Sequence, residues 1–103
     1  ALQMVLSGEP LSAEEALRWG LVNQVVPSEQ LLPTAKEIAR KIIANSPLAI
    51  RYCLEAVHQG MEEPLEQGLY LESTLFGMTF ATEDMREGTL AFLEKRPPHF
   101  TGR

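Results

Sequence analysis

Glu72 is the carboxylate in this sequence whose surroundings come closest to those of a catalytic group. It lies between Leu69 and Phe76 along one face of a predicted helix. A carboxylate in that position could serve as a general acid or base. However, no second carboxylate and no histidine is spaced to complete a catalytic pair with it. We therefore expect Glu72 to form an ion pair or hydrogen bond that fixes helix packing, and we predict no catalytic residue in the chain.

The two histidines and the single cysteine do not have the pattern of a metal site. His58 and His99 lack the spacing of metal ligands, and no cluster of acids accompanies them. Cys53 has no second cysteine for a disulfide, and we expect it to be a small core residue on a helix. The sequence also lacks a glycine-rich phosphate loop, a nucleophile elbow and a zinc motif. We therefore predict no metal and no resident cofactor.

The charge distribution indicates that a negatively charged partner, if the chain has one, would meet the carboxyl-terminal tail. The 103 residues carry a net charge of −5, which argues against a nucleic-acid partner, and no apolar run is long enough to span a bilayer. From residue 52 to residue 85 there are seven acids and no Lys or Arg. From residue 86 onward there are four basic residues and two acids, a local net of +2. Within this tail, Arg86 and Arg103 are expected to be solvated helix-end charges.

The first half of the chain predicts two short elements and then longer helices. The spacing of Ser12 and Glu15 is that of a capping box, and Gly20 follows as a stop signal. Residues 21–27 are β-prone and form either a strand or an extended connection. Ser28 can cap a helix that buries one apolar face, made of Leu31, Ala35, Ile38, Ala39 and Ile42.

The second half contains three further helix signals. Ser46 followed by Pro47 is a typical helix start, and Gly60 is a stop. Pro64 opens a long helix, and Thr82 is a plausible cap for the helix after it, which ends before the proline pair at residues 97–98. The chain is therefore predicted to be mainly all-α, with about five helices and one short extended stretch.

The long helix carries more apolar surface than the short helices around it can cover. One stripe contains Leu65, Leu69, Phe76 and Phe80, and a second contains Leu71, Leu75 and Met78. A helix that is apolar on more than one face is buried on more than one side. Gly68 and Gly77 could permit another backbone to approach this helix closely. We assign Phe80 and Phe92 to packing, and we expect the isolated chain to self-associate, or to swap helices, to cover its apolar stripes.

Three runs of the sequence resemble the enoyl-CoA hydratase/isomerase (crotonase) family, in the order in which they occur there. These runs are SGEPLSAEEALRWGLVNQVVP, ANSPLAIRYCLEAV and FATEDMREGTLAFLEKRPPHFTGR. The resemblance covers essentially the whole chain. A complete subunit of that family is much longer, and the chain looks like its C-terminal portion only, beginning after the catalytic core.

The resemblance implies a fold and a role for each part of the chain. It implies the C-terminal helical segment of a crotonase-type (ClpP/crotonase-like) subunit, with residues 1–27 ending the core and linking it by a short helix and an extended stretch. Residues 28–103 would form a helical oligomerisation and CoA-covering domain. The parent would hydrate trans-2-enoyl-CoA in fatty-acid β-oxidation and would assemble as a trimer or hexamer. The chain alone is expected to have no hydratase activity, because the family's catalytic acids and oxyanion donors lie upstream.

Two substrate-binding residues follow from the same resemblance. Phe76 matches an aromatic residue that touches the ligand near its adenine and acyl region, and Lys95 matches a lysine near the CoA phosphates. An aromatic face suits adenine, and a lysine on a mobile tail can neutralise a phosphate. For Phe76, core packing is an alternative of equal weight, and for Lys95 the alternative is a solvated end charge.

Other functions remain open at this stage. Other acyl-CoA chemistries use the same scaffold, including enoyl-CoA isomerase, dehalogenase, thioester hydrolase and decarboxylase. A different class is a stand-alone helical association module that binds no ligand. The expected partners are an acyl-CoA substrate and further copies of the chain, with no nucleic acid and no membrane. The lone cysteine suits a reducing compartment, either the cytoplasm or the mitochondrial matrix.

Overall fold

The computed structural model describes residues 2–103, and in them every regular element is helical. The α-helices are α1 (Leu2–Ser7), α2 (Ala13–Arg18), α3 (Leu31–Ile43), α4 (Pro47–Gly60), α5 (Leu65–Thr79) and α6 (Glu83–Glu94), with a 3₁₀ turn at Ser28–Gln30. The all-α prediction is confirmed for this part of the chain, although there are six α-helices rather than about five. The β-prone residues 21–27 form no strand there, which leaves the extended connection of the two alternatives.

The short helix α2 is built as the sequence predicts. The Ser12 hydroxyl accepts a hydrogen bond from the Glu15 amide at 3.2 Å, and the Ser12 amide donates to the Glu15 carboxylate at 3.3 Å. The pKa of Glu15 is held below its usual value, first by the hydrogen bond from the Ser12 side chain. Gly20 adopts the left-handed conformation, with φ +72°, just after the helix ends. Trp19 remains exposed.

The start of α3 differs from the prediction. Ser28 does not cap this helix, because residues 28–30 form the 3₁₀ turn and α3 begins only at Leu31. The apolar face was expected to be buried, but no residue of α3 is buried. Glu37 and Lys41, one helical turn apart, form an ion pair with 2.8 Å between Nζ and Oε1, and the hydrogen bond from Lys41 lowers the pKa of Glu37.

The starts of α4 and α6 are fixed by the predicted caps. The Ser46 hydroxyl accepts from the Ala49 amide at 3.3 Å, and Pro47 occupies the first turn, where a missing N–H costs nothing. The Thr82 hydroxyl accepts from the Met85 amide at 3.1 Å. Because such caps satisfy amides that have no partner within the helix, they define where each helix begins.

Contacts divide the chain into two compact units, one ending at Lys36 and the other running from Glu37 to Arg103. The division falls within α3. The predicted domain boundary after residue 27 remains a prediction. In the second unit, α4 and α5 are packed along each other as an antiparallel hairpin closed by residues 61–64.

Very little of the chain is buried. Among the described residues, the buried apolar side chains are those of Ala16, Leu75 and Ala91. Leu75 is 6% exposed, whereas Phe76 beside it is 64% exposed. Cys53, expected in a core, is exposed, and Phe80 and Phe92, expected to pack, are exposed as well. The apolar faces of α5 therefore lie largely open. Within residues 2–103, no helix has both the length and the apolar character that crossing a bilayer requires.

Candidate functional site

The α4–α5 hairpin is narrowest where two glycines meet. A Cβ atom added at Gly68 would lie 3.3 Å from both the Cα and the carbonyl oxygen of Gly60. The absence of a side chain at both positions lets the two helices approach to backbone contact. This part of the prediction for Gly68 is confirmed. Gly77, by contrast, has no neighbouring atom within 4 Å of an added Cβ, so it provides no close approach within the described structure.

A wide apolar groove of about 990 Å³ lies between this hairpin and α6. Its walls come from three helices, with one aromatic ring contributed by the carboxyl-terminal tail. The wall residues include Tyr52, Cys53, Ala56 and Val57 of α4, Leu65, Leu69, Leu75 and Phe76 of α5, Met85, Gly88 and Phe92 of α6, and Phe100. The groove has the size and apolar character of a ligand or partner site.

Phe76 stands in the wall of this groove. Its ring packs edge-to-face on that of Phe80, with ring centroids 5.3 Å apart and an angle of 86° between the planes. Such a pair stabilises each ring's orientation while one face stays open. The structure therefore places Phe76 where a ligand or a partner could reach it, rather than in a core.

Glu72 also lines the groove, next to Leu69 and Phe76. Its carboxylate is exposed, and within residues 2–103 it accepts no hydrogen bond and forms no ion pair. The prediction that Glu72 forms an ion pair or hydrogen bond is therefore wrong for this part of the chain. The other acid of the groove wall, Asp84, lies on α6 and is already engaged in hydrogen bonds.

Lys95 is not part of the groove wall. It ends α6 in the left-handed conformation, with φ 53°, and its amide donates to the carbonyl of Phe92. This conformation is unusual for a residue with a side chain, and here it turns the chain out of the helix. Phe76 and Lys95 therefore lie on different features, the groove wall and the end of α6.

The tail after Lys95 is joined to α6 by ion pairs and hydrogen bonds. Arg96 pairs with Glu87 through two contacts, Nη1 to Oε1 at 2.6 Å and Nη2 to Oε2 at 2.9 Å, and its Nε contacts Glu94 at 2.6 Å. Glu87 also accepts a hydrogen bond from the His99 amide at 2.7 Å. The Arg96 hydrogen bond, and then that from His99, lower the pKa of Glu87 to about 2. Its two carboxylate partners raise the pKa of Arg96.

Asp84 holds the end of the tail through hydrogen bonds. It is the most buried charged residue in the described structure, with 2% of its surface exposed. Its Oδ2 accepts from the Ser46 hydroxyl at 2.6 Å, and its Oδ1 accepts from the Thr101 amide at 2.7 Å. The Gly102 amide donates to both oxygens, at 3.2 and 3.0 Å. Burial acts to raise the pKa of Asp84, but the hydrogen bonds from Ser46, Thr101 and Gly102 outweigh it and lower the pKa.

The family model described as "Enoyl-CoA hydratase/isomerase" matches residues 1–103. The chain is 44% identical over 96 residues to a short-chain-enoyl-CoA hydratase of Clostridium acetobutylicum, covering 93% of the chain and 37% of that protein. It is 46% identical to the 2,3-dehydroadipyl-CoA hydratase of Escherichia coli K12, covering all of the chain and 40% of that protein.

Comparison with solved structures gives the same family as comparison with these relatives. An enoyl-CoA hydratase from Bacillus anthracis superposes with a TM-score of 0.94 at 40% identity, covering 98% of the chain and 39% of that structure. The chain belongs to the enoyl-CoA hydratase/isomerase family. It spans about 40% of the length of the relatives that it matches.

For this member of the enoyl-CoA hydratase/isomerase family, the sequence indicated Phe76 but not the tail contacts. In the sequence, Asp84 and Glu87 are simply acids near the start of a helix, where negative charge is favoured. Their real partners lie 9 to 38 residues away along the chain. In the part of the chain that the structure describes, no three His, Cys, Asp or Glu residues are grouped to hold a metal ion.

Proposed function

We propose that this chain is the C-terminal portion of an enoyl-CoA hydratase that hydrates trans-2-enoyl-CoA in fatty-acid β-oxidation. In that protein it supplies subunit contacts in a trimer or hexamer and part of the acyl-CoA pocket. The observation that carries the proposal is the open apolar groove with Phe76 in its wall. Exposed apolar surface on this scale is typical of a site that a ligand or further protein covers.

The chemistry explains why other parts of the protein must take part. During hydration the thioester oxygen gathers negative charge, so preorganised N–H donors must face it. A water molecule must also lose a proton while the α-carbon gains one, which calls for carboxylates on either side of the double bond. The groove wall has only two acids, Glu72 and Asp84, and Asp84 is occupied by hydrogen bonds to Ser46 and the tail. The chain's own contribution is therefore to cover and orient the CoA thioester, which is a substrate and not a resident cofactor.

Within this proposal Phe76 and Lys95 have separate tasks. Phe76 presents an aromatic face at the groove wall, where the adenine or the acyl chain can pack against it. Lys95 lies on the surface beyond the groove, at the end of α6, where its ammonium group can meet the CoA phosphates.

The test is calorimetric titration of acetoacetyl-CoA into the complete protein that contains this chain. We expect Phe76→Ala to weaken binding roughly tenfold, a loss of about 1.4 kcal/mol. Lys95→Ala should weaken binding less, and its effect should shrink as salt screens the phosphates. Tyr70→Ala and Arg86→Ala are the matched controls, because both residues are exposed and lie outside the groove wall. If the two test variants bind as tightly as the controls, the assignment of these residues is wrong.

Failure of the complete protein to bind any CoA thioester would contradict the proposal as a whole. It would favour an association module that binds no ligand. Hydration of crotonyl-CoA separates the hydratase from the isomerase, dehalogenase and hydrolase alternatives, since only the hydratase forms a 3-hydroxyacyl product from it.

A further inference from the structure

Helix α6 has few points of attachment to the hairpin whose groove it completes. Among residues 2–103, α4 and α5 are the only helices that pack extensively on each other. The residues of α6 that face the groove include Phe92, which is 83% exposed. Helix α6 therefore packs only sparsely on the hairpin, and the hydrogen-bonded contacts that join it to the start of α4 lie at its first turn.

Those contacts converge on one carboxylate. The Ser46 hydroxyl caps α4 by accepting a hydrogen bond from the Ala49 amide. The same hydroxyl donates a hydrogen bond to the Asp84 carboxylate. Through the amides of Thr101 and Gly102, this carboxylate reaches the end of the tail. The Asp84 amide donates in turn to the Arg103 carbonyl at 3.1 Å. Asp84 thus joins the start of α4, the start of α6 and the tail at a single point.

The tail completes this junction because it contacts both helices. Gly102 has φ +78°, and a Cβ atom there would lie 3.5 Å from Cβ of Pro47 in the first turn of α4. Phe100 lies between His99 and Thr101, two tail residues whose amides donate hydrogen bonds to carboxylates of α6. Its ring passes over Gly88 of α6, 3.4 Å from where a Cβ would stand, and forms part of the groove wall.

We propose that Asp84 is the positioning residue of the groove: its carboxylate holds α6 at a fixed distance from the α4–α5 hairpin and seats Phe100 in the groove wall. A carboxylate suits this task because it can accept several hydrogen bonds at once, and bonds to a charged acceptor are the strong ones. The role concerns the shape of the groove, whatever the groove binds, and so does not depend on the proposed hydratase function.

The test measures the width of the groove directly. Spin labels are attached at His58→Cys on α4 and Leu93→Cys on α6, two exposed positions outside the groove wall, in a Cys53→Ser background. Labelled chain is mixed with a large excess of unlabelled chain, so that pulsed dipolar spectroscopy reports only distances within one molecule. We expect one narrow distance distribution in this parent. Asp84→Ala should broaden it, while the neighbouring control Glu83→Ala should leave it narrow.

Circular dichroism separates loss of position from loss of helix. A broad distribution with unchanged helix content supports the proposal, and a narrow, unmoved distribution in Asp84→Ala overturns it. If Asp84→Ala loses helix content, a chain ending at Phe100 replaces it, because this truncation removes the amide donors of Thr101 and Gly102 but leaves every helix intact in sequence. Broadening in that chain supports the proposal, and an unchanged distribution overturns it.

Discussion

Gly60 and Gly68 bring α4 and α5 into backbone contact, since an added Cβ at Gly68 would stand 3.3 Å from Gly60. Because the atoms it would meet are backbone atoms, which cannot rotate away as a side chain can, a methyl group at residue 68 requires the two helices to separate by a few tenths of an ångström. We expect Gly68→Ala to lower the free energy of unfolding by about 1–3 kcal/mol, the usual range for overpacking. Urea unfolding followed by circular dichroism measures this.

Gly77→Ala is the matched control on the same helix. It adds the same methyl group in open space and should raise the free energy of unfolding by up to ~1 kcal/mol through helix propensity alone. Equal and stabilising effects at both positions would show that the two helices do not need the close approach.

Glu87 gives the tail a pH dependence whose sign follows from its pKa. The ordinary value is 4.5, and in the folded chain the pKa is lowered to about 2, first by the hydrogen bond from Arg96. A lowered carboxyl pKa means that the stabilisation is fully present above the ordinary value and is lost as the pH falls toward 2. We expect Glu87→Gln to flatten the pH dependence of unfolding in this window.

The comparison for this prediction is Glu83→Gln, which removes an exposed acid of the same helix. The His99 N–H donates to Glu87, and its protection from exchange, measured relative to the intrinsic rate at each pH, should fall as the pH is lowered through the same window in the unmodified chain. A pH profile that is the same with and without the Glu87 carboxylate would contradict the assignment of the tail contact.

The short-range features of this fold could be predicted from the sequence, because each depends on residues within one helical turn. The capping box at Ser12 and the caps at Ser46 and Thr82 are hydrogen bonds spanning three residues. Such bonds are fixed by local geometry, and the residue types that make them are few. The prediction that Ser28 caps α3 was wrong for a reason that is also local. A 3₁₀ turn satisfies the same amides without a side-chain cap.

The long-range features could not be predicted, because no periodicity or spacing encodes them. The bond from Ser46 to Asp84 joins residues 38 apart, and an acid in the first turn of a helix is common without such a partner. The exposure of Cys53 and Phe92 could not be foreseen either. Their apolar character indicates burial, but it does not say whether the covering surface belongs to the same chain.

The chain alone should not hydrate crotonyl-CoA. Its groove wall contains Glu72 and the hydrogen-bonded Asp84 as its only acids, so it lacks the free pair that the reaction needs. Loss of the enoyl thioester absorbance measures turnover, and the complete protein containing this chain is the positive control. Turnover by the purified 103-residue chain, above the rate in buffer, would refute this prediction.

The most direct test of the central claim, that the apolar faces of α5 are shaped to be covered by further protein, is the mass of the unmodified chain in solution. Static light scattering over a wide range of concentration measures it. Because Leu65, Leu69 and Phe76 are exposed, we expect a mass above that of one chain that rises with concentration. The mass of a single chain at every concentration would contradict the claim.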